Sequence, residues 1–475
     1  MRTGRLVSAV VLRGDAAHLP LPDGGVDLIV TSPPYFGLRS YSDGGEVYDG
    51  QIGSEYTPWE YLEALWACTR EWMRVLKPGG SIFVNLGDKY STYTGANWGN
   101  GRSLDGNRGQ RKVPDGGPVN APGVYGIPYK SLMGLPWRYA IGCVDDLGLI
   151  LRSEIIWDKP NGMPESATDR VRRSHEQVFH LVKEARGYFA GVDEIREPHA
   201  SVSVARSRRA YNAGDKFSVG TPNTLDPAQF CNALGKLPGS VWEIPPVPLN
   251  VPDWLDVDHF AAYPPELCRR IILGWSPTGI CTECGEGRRP QAQREIGPDA
   301  QGRAGTLHSG DRGRLGHARE RKMLDGLSLR TITGYACACT PYTDHPERRG
   351  KDFHATTDRA RQGMNDGNGG ERYRRYVEEL ANPRGPVREY DFANWQPAPT
   401  RPAIVLDPFG GTGTTSLVAD LFGRTGITVD RSADYCRLAR WRTRDPAERA
   451  RALGVPKPLP VPEGQRSLFD ELEAS

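Results

Sequence analysis

Residues 403–423, AIVLDPFGGTGTTSLVADLFG, tie this chain to one class of fold. A short apolar run ends in an aspartate, a glycine-rich turn follows, and a helical pattern comes after it. A strand feeding a helix through such a turn is the repeating unit of a parallel α/β sheet. The glycines let backbone approach a ligand closely, and the helix start supplies free N–H groups. A P-loop is excluded, because no lysine follows Gly413. A dinucleotide turn is matched in part: Gly411 and Gly413 fit, but Ser416 stands where the third glycine belongs. The next strand-like run, TGITVD, ends at Asp430, about twenty residues on, where an acid grips ribose hydroxyls. The pattern predicts a nucleotide-like ligand.

Two further α/β blocks precede this one. In residues 5–88 we expect strands over 6–11 and 26–30, a helix over about 57–76 and a strand in GGSIFVNL. Pro58 and the Gly79–Gly80 pair are its start and stop signals. Residues 130–190 carry a helical LPWRYAIGCVDDLG and two strands, LILRSEIIWDK and SHEQVFHLVK. The last block, 402–445, ends in a helix capped by Ser432. The stretches between are different. Residues 89–126 are rich in glycine and asparagine, 199–256 are punctuated by arginine and proline, and 277–400 are polar and hold four cysteines. Fifty-six glycines and 39 prolines, against 38% hydrophobic residues, fit a cored domain with long connections.

The second motif is VDLIVTSPPY, residues 26–35. A buried strand leaves through two prolines and reaches an aromatic residue. Prolines have no N–H, so the turn offers carbonyl acceptors without competing donors. Ser32 adds a hydroxyl and Tyr35 a flat ring. The set suits an exocyclic NH₂ that donates both hydrogens while its base stacks on the ring. Open α/β sheets bind ligands at the carboxyl ends of their strands. If the strands of the two motifs are neighbours, residues nearly 400 positions apart share one crevice.

TSPPY with DPFGGTGTT resembles the exocyclic-amine DNA methyltransferases, which make N4-methylcytosine or N6-methyladenine. The order of the motifs is similar to the beta group of that family. LRGDAAHLPLPDGGVDLIVTSPPY, RVLKPGGSIFVNLGD, LRSEIIWDKPNGMPES with DRVRRSHEQVFHLVK, and HFAAYPPEL also resemble family segments, in the family's order. The resemblance covers roughly half the chain. It implies a permuted S-adenosylmethionine-dependent methyltransferase fold, a Rossmann-like, mostly parallel α/β sheet. It implies that Ser32, Pro33, Pro34 and Tyr35 orient a base flipped out of double-stranded DNA. Asp407, Phe409, Gly411, Gly413 and Thr414 would hold the methionine end of S-adenosyl-L-methionine, and Asp430 the ribose. Asp15 would lie near the adenine, where a plain turn residue is the alternative. His259, Ala261 and Pro264 fall in the cofactor-side motif. Trp157 and Lys159 are candidates for the base pocket or for simple packing.

The resemblance divides the chain into a catalytic part (1–190, with a mobile loop at 89–126), a target-recognition region (191–256), a cofactor-side helix (257–276), a cysteine-rich insertion (277–400), a cofactor-binding part (401–445) and a tail (446–475). SPPY favours cytosine N4 over adenine N6. Carbon-5 methylation is disfavoured, since that chemistry uses a Pro-Cys pair and none occurs. Other readings are a catalytically silent DNA-binding scaffold, a dinucleotide oxidoreductase and an RNA methyltransferase. The net charge of +2 does not by itself announce a nucleic-acid binder, so basic surface must be local. Arg170, Arg172 and Arg173 form one cluster, and Arg206, Arg208 and Arg209 another. A cognate restriction enzyme is the partner this family suggests.

In the insertion, CTECG places Cys281 and Cys284, and YACACTPY places Cys337 and Cys339. Two closely spaced thiol pairs can supply a tetrahedral structural zinc in a small zinc-ribbon-like unit, with His345 a conceivable substitute. Cys68, Cys143, Cys231, Cys268 and Cys436 sit in apolar sequence and are expected in the core. An odd total of nine cysteines does not read as a disulfide framework and suits a reducing cytoplasm. No run of about 18 apolar residues suggests a membrane span. The first residues lack the apolar stretch of a secretory signal.

Overall fold

The computed structural model describes residues 9–37, 42–43, 46–47, 50–91, 124–162, 164–200, 234–257, 262–294, 330–343, 389–393 and 395–456. His259, Ala261, Arg206, Arg208, Arg209, Cys231 and His345 lie outside them, as do residues 92–123 of the expected mobile loop. The chain divides into two units. One comprises Met1–Pro198, Lys236–Ile280 and Pro402–Ser475; the other comprises His199–Gly235 and Cys281–Arg401.

The first unit is built on an eight-stranded sheet. Its strands are β1 (Val10–Arg13), β2 (Val26–Thr31), β3 (Leu76–Leu86), β4 (Ile150–Asp158), β5 (His175–Val182), β6 (Val241–Glu243), β7 (Ile404–Asp407) and β8 (Thr425–Asp430). They lie in the order β1-β8-β7-β2-β3-β5-β4-β6. Pairing is parallel from β1 through β3; β5 runs antiparallel to β3 and β4, and β6 lies parallel to β4. This is the mostly parallel α/β sheet expected. It is closed by the two ends of the sequence: β1 pairs with β8, and β2 with β7 through Val405 opposite Leu28 and Leu406 opposite Ile29.

Helices cover both faces, so β2 is buried along its whole length. Helix α1 (Pro58–Val75) starts in a capping box, with Thr57 and Glu60 each accepting the other's backbone N–H. Its stripe of Tyr61, Leu62, Leu65, Cys68, Trp72 and Val75 joins α2 (Leu135–Asp145) in a core against Ile29, Ile82, Val84 and Leu406. On the other face, α3 (Pro265–Trp275) and α4 (Thr414–Leu421) pack Leu267, Ile271, Ile272 and Val418 against Leu28, Val30, Phe83 and Val405. Helix α5 (Ala433–Arg444) is capped by Ser432, whose hydroxyl accepts from the Tyr435 N–H, and α6 (Pro446–Leu453) follows it directly. Cys68, Cys143, Cys268 and Cys436 are buried. Among the described residues no helix is long and apolar enough to cross a membrane.

The turn after β7 explains why Ser416 replaces a glycine. Close approach of helix to strand is secured from the strand instead: a Cβ on Gly426 would stand 2.4 Å from the Ser416 Cα. The Ser416 hydroxyl then bonds Thr428 Oγ1 at 2.6 Å across the same gap.

In the second unit, β9 (Arg289–Arg294) pairs antiparallel with β10 (Arg330–Ala336). The ring of Phe392 lies where a side chain on Gly334 would stand, and the Arg288 guanidinium sits 5.1 Å from the Trp395 ring centre.

Candidate active site and thiol cluster

Because β2 and β7 are parallel neighbours, the turns that follow them emerge together. They wall one cavity of about 210 Å³. One wall is Ser32, Pro33, Pro34 and Tyr35; another is Phe409, Gly410, Gly411, Thr412 and Thr414, with Asp430 beyond. Asp15 and Ala16 line it after β1, and Ala262 and Tyr263 ahead of α3. Trp157, Lys159, Asn85 and Glu176 close the side next to Tyr35.

Three expected site residues stand behind the wall. Asp407 is buried and accepts from the Tyr263 hydroxyl at 2.6 Å, from Thr415 Oγ1 at 2.8 Å and from the Phe409 N–H at 3.2 Å. It holds Tyr263, which does line the cavity, and burial pushes its carboxyl up despite those donors. Gly413, at φ +74°, caps α4, and a Cβ there would come within 2.9 Å of the Ala439 Cβ. Pro264 caps the start of α3.

The glycine turn is held by its own neighbourhood. Gly411, at φ +46°, donates its N–H to Asp430 Oδ2 at 2.8 Å, and Ser432 donates to Oδ1 at 2.9 Å. The buried Arg442 guanidinium donates to Thr412 Oγ1 at 2.7 Å and Thr414 Oγ1 at 2.6 Å, with Glu448 as its counter-ion.

The proline turn is held from afar. The Tyr61 hydroxyl donates to the Pro34 carbonyl at 2.9 Å. The Tyr35 ring packs against Gly87, where a Cβ would stand 2.7 Å from Cε2. Its hydroxyl donates to Glu176 Oε2 at 2.7 Å, accepts from Asn85 Nδ2 at 2.9 Å and sits 3.4 Å from Ser32 Oγ. Lys159 pairs with the other oxygen of Glu176 and lies 4.2 Å from the Trp157 ring centre. Burial raises the Tyr35 phenol well above its ordinary range. Burial also pushes Glu176 up, but Lys159, Tyr35 and Asn85 together outweigh it and hold the carboxyl below its ordinary range.

Asn85 and Glu176 were not singled out in the sequence. The signal that could have found Glu176 is a carboxylate near the start of a strand, HEQVFHLV, whose last five residues are buried.

In the second unit, the sulfurs of Cys281, Cys284, Cys337 and Cys339 all lie within 4.8 Å of one another. Each pair sits in a tight knuckle. Gly285, at φ +72°, donates its N–H to the Cys281 carbonyl at 3.0 Å, and Thr340 donates to the Cys337 carbonyl at 3.0 Å. The Ala338 N–H donates to Glu286 Oε2 at 3.0 Å, linking the two knuckles.

Residues 26–280 match the family model of a DNA methylase, the N6/N4 methyltransferases. The Type II methyltransferase M.XycI of Xanthomonas campestris pv. cyanopsidis is 37% identical over 232 residues, covering 47% of this chain and 71% of that protein. M.SmaI of Serratia marcescens, also a Type II methyltransferase, is 35% identical over 241 residues, 49% of this chain and 77% of its own. Among solved structures, the cytosine-N4-specific PvuII DNA methyltransferase aligns with 91% of this chain and 86% of its own, at 14% identity and a TM-score of 0.40.

Proposed function

The chain belongs to the N6/N4 family of DNA methylases, and from that premise we propose that it transfers the methyl group of S-adenosylmethionine to the exocyclic amine of a base flipped out of double-stranded DNA. We favour cytosine N4, with adenine N6 as the alternative. The observation that carries the reading is the single cavity walled by SPPY and by the glycine turn.

The residues present suit the cofactor. Gly410 lines the cavity, and a Cβ there would stand 2.1 Å from Thr428 Cγ2, so only glycine lets this turn pack on β8. Asp430 suits ribose hydroxyls, Phe409, Ile52 and Ala16 offer apolar wall, and Thr412 and Thr414 suit the amino-acid end. When bound, the cofactor supplies an electrophilic methyl group. The protein's own part is to hold the amine toward it. Ser32 Oγ and the Pro33 carbonyl accept the two N–H bonds, and Tyr35 stacks the base. Holding both hydrogens in acceptors turns the nitrogen lone pair out of conjugation with the ring, and no enzyme nucleophile is needed. The arginines at 170–173 suit phosphate contacts, and a cognate restriction endonuclease is the partner the Type II relatives suggest.

The test is mass spectrometry of nucleosides from unmodified bacterial DNA incubated with the protein and S-adenosylmethionine. N4-methylcytosine is expected. N6-methyladenine would overturn the base assignment, and neither product would overturn the activity.

For the second unit we propose a structural zinc on Cys281, Cys284, Cys337 and Cys339. Zn–S bonds of about 2.3 Å place four tetrahedral sulfurs about 3.8 Å apart, which suits the observed cluster. A reducing cytoplasm would keep the thiols available. About one zinc per chain is expected by elemental analysis of freshly purified protein, lost in the Cys284→Ser variant. Metal-free protein would overturn the site.

A further inference from the structure

The direction of each hydrogen bond around Tyr35 can be worked out from one end. Glu176 is acceptor-only when ionised. One of its oxygens takes the Lys159 ammonium, and the other, Oε2, takes the Tyr35 hydroxyl at 2.7 Å and Asn85 Nδ2 at 2.8 Å. A phenol has a single hydrogen, so Tyr35 spends it on Glu176 and its oxygen is left as an acceptor. Asn85 Nδ2 also points at that oxygen, at 2.9 Å. Turned the other way, the Asn85 amide would set its own oxygen against the carboxylate, so its orientation follows from Glu176 as well. The Ser32 oxygen stands 3.4 Å from the Tyr35 oxygen and 3.3 Å from Asn85 Nδ2. Between Ser32 and Tyr35, only Ser32 has a hydrogen left to give. Its hydroxyl therefore points inward, and it presents lone pairs to the cavity.

We propose that Glu176 is the residue that makes the pocket selective for an amine over a carbonyl, by fixing the polarity of the Tyr35–Ser32 chain. This rests on the methyltransferase reading above and names the group that sets its substrate class. Cytosine and adenine offer N–H donors at the reacting position, and they meet acceptors in Ser32 Oγ and the Pro33 carbonyl. Uracil and hypoxanthine, the deaminated counterparts, offer a carbonyl oxygen that would face only lone pairs. A buried polar group left without a partner is what allows a site to reject a near-isostere strongly. Glu176 does not touch the base; it is a positioning residue, separated from it by two hydroxyls.

Glu176→Gln releases the polarity of the chain without changing its shape. Lys159 has only hydrogens to give, so the new amide turns its oxygen toward Lys159 and its NH₂ toward Tyr35. Asn85 Nδ2, 2.8 Å from that position, would then face another donor and turns its oxygen inward, so Tyr35 can donate to Asn85 or to Ser32 and the Ser32 hydrogen is no longer held inward. The experiment measures equilibrium binding, without cofactor, to two labelled duplexes that differ only at the target base. One carries the amine and the other its deaminated counterpart, each opposite an abasic position so that neither is paired, in the site mapped by sequencing methylated host DNA. The wild type should prefer the amine by about tenfold or more, and Glu176→Gln should bring the ratio to within about threefold of unity. Tyr35→Phe keeps the ring but cuts the chain, and should lower the ratio in the same way. If Glu176→Gln melts early, the Tyr35→Phe ratio decides. A wild-type ratio in a folded variant would overturn the proposal. Absence of any methylated amine from the wild type would instead overturn the activity, which the nucleoside analysis reads separately.

Discussion

The two walls of the cavity are built in different ways. The glycine turn is a local device: Gly410, Gly411, Asp430 and Ser432 lie within one β–α–β stretch, with the Gly410 N–H on the Val429 carbonyl and the Gly411 and Ser432 N–H groups on the Asp430 carboxylate. The proline turn is a remote one. Tyr35 is positioned by Gly87, Asn85 and Glu176, and Glu176 by Lys159, all from strands β3, β4 and β5 or their ends. Backbone geometry tolerates side-chain replacement at most of its neighbours. A chain of buried polar side chains does not, because each member removed leaves another unpaired. The cofactor side should therefore be robust to point changes away from its glycines and its two buried anchors, Asp407 with Tyr263 and Arg442 with Glu448, and the base side brittle throughout.

The largest effect expected from this contrast is at Lys159. Lys159→Met leaves the Glu176 carboxylate buried without its counter-ion and should destabilise the protein by about 3–5 kcal/mol in urea unfolding. Lys159→Met with Glu176→Leu should recover much of that loss. A full-cost double variant would mean that the pair's surroundings, rather than the charge, set the penalty. Tyr35→Ala comes next. Losing one base–aromatic stack should cost about 1–3 kcal/mol, or roughly 10- to 100-fold in turnover, while the dissociation constant for S-adenosylmethionine stays within about twofold. A parallel loss of cofactor affinity would show that the two walls are not separable. On the glycine side, Gly426→Ala pushes a methyl group into the Ser416 backbone and should cost about 1–3 kcal/mol in thermal or urea unfolding. An unchanged melting temperature would show that α4 can lift off the strand more freely than its packing implies.

How much could be read from the residues alone follows the same division. Strand, aspartate, glycine turn, helix and the acid at the next strand end are contiguous, so that wall was legible in outline: Phe409, Gly411, Thr414 and Asp430 line the cavity, while Asp407 and Gly413 stand behind it. Even the missing third glycine had a legible substitute, because Gly426 faces Ser416 one strand later. The meeting of β2 with β7 was also legible, since ligands bind at the carboxyl ends of neighbouring parallel strands. Glu176 was not. It opens β5, and only because β5 runs antiparallel does its beginning lie at the carboxyl ends of the parallel strands. Hydrophobic periodicity reports which residues are buried but not which way a strand runs. Asp407 was hidden for a different reason. A carboxylate at the end of a strand reads as a ligand contact, yet here it faces the Tyr263 hydroxyl and Thr415, and Tyr263 reaches the cavity in its place.

The two walls also answer acid with opposite signs. On the base side, β5 carries His180 as well as Glu176. Its ring is stacked on Phe83 at 4.3 Å and bonded to Ser81 at 3.0 Å. Burial, with Arg152 adding to it, lowers its pKa to about 3. Between that value and the ordinary histidine range near 6.5, the unfolded chain binds a proton that the folded chain refuses. Stability then falls as pH falls, by up to about 1.4 kcal/mol for each pH unit. Glu176 acts in the same sense at lower pH, since its stabilisation is lost as pH drops through its depressed value. Asp407, behind the glycine turn, acts the other way. Burial raises its pKa, so in the window above the ordinary aspartate range the folded chain holds a proton that the unfolded chain has lost. Its contribution falls as pH rises through that window. In wild type the two slopes partly cancel. His180→Gln should therefore flatten the acid loss of stability below about pH 6.5, and Asp407→Asn should steepen it, each read from urea unfolding as a function of pH. If both variants shift the curve in the same direction, the opposition between the walls lies elsewhere than in these two groups.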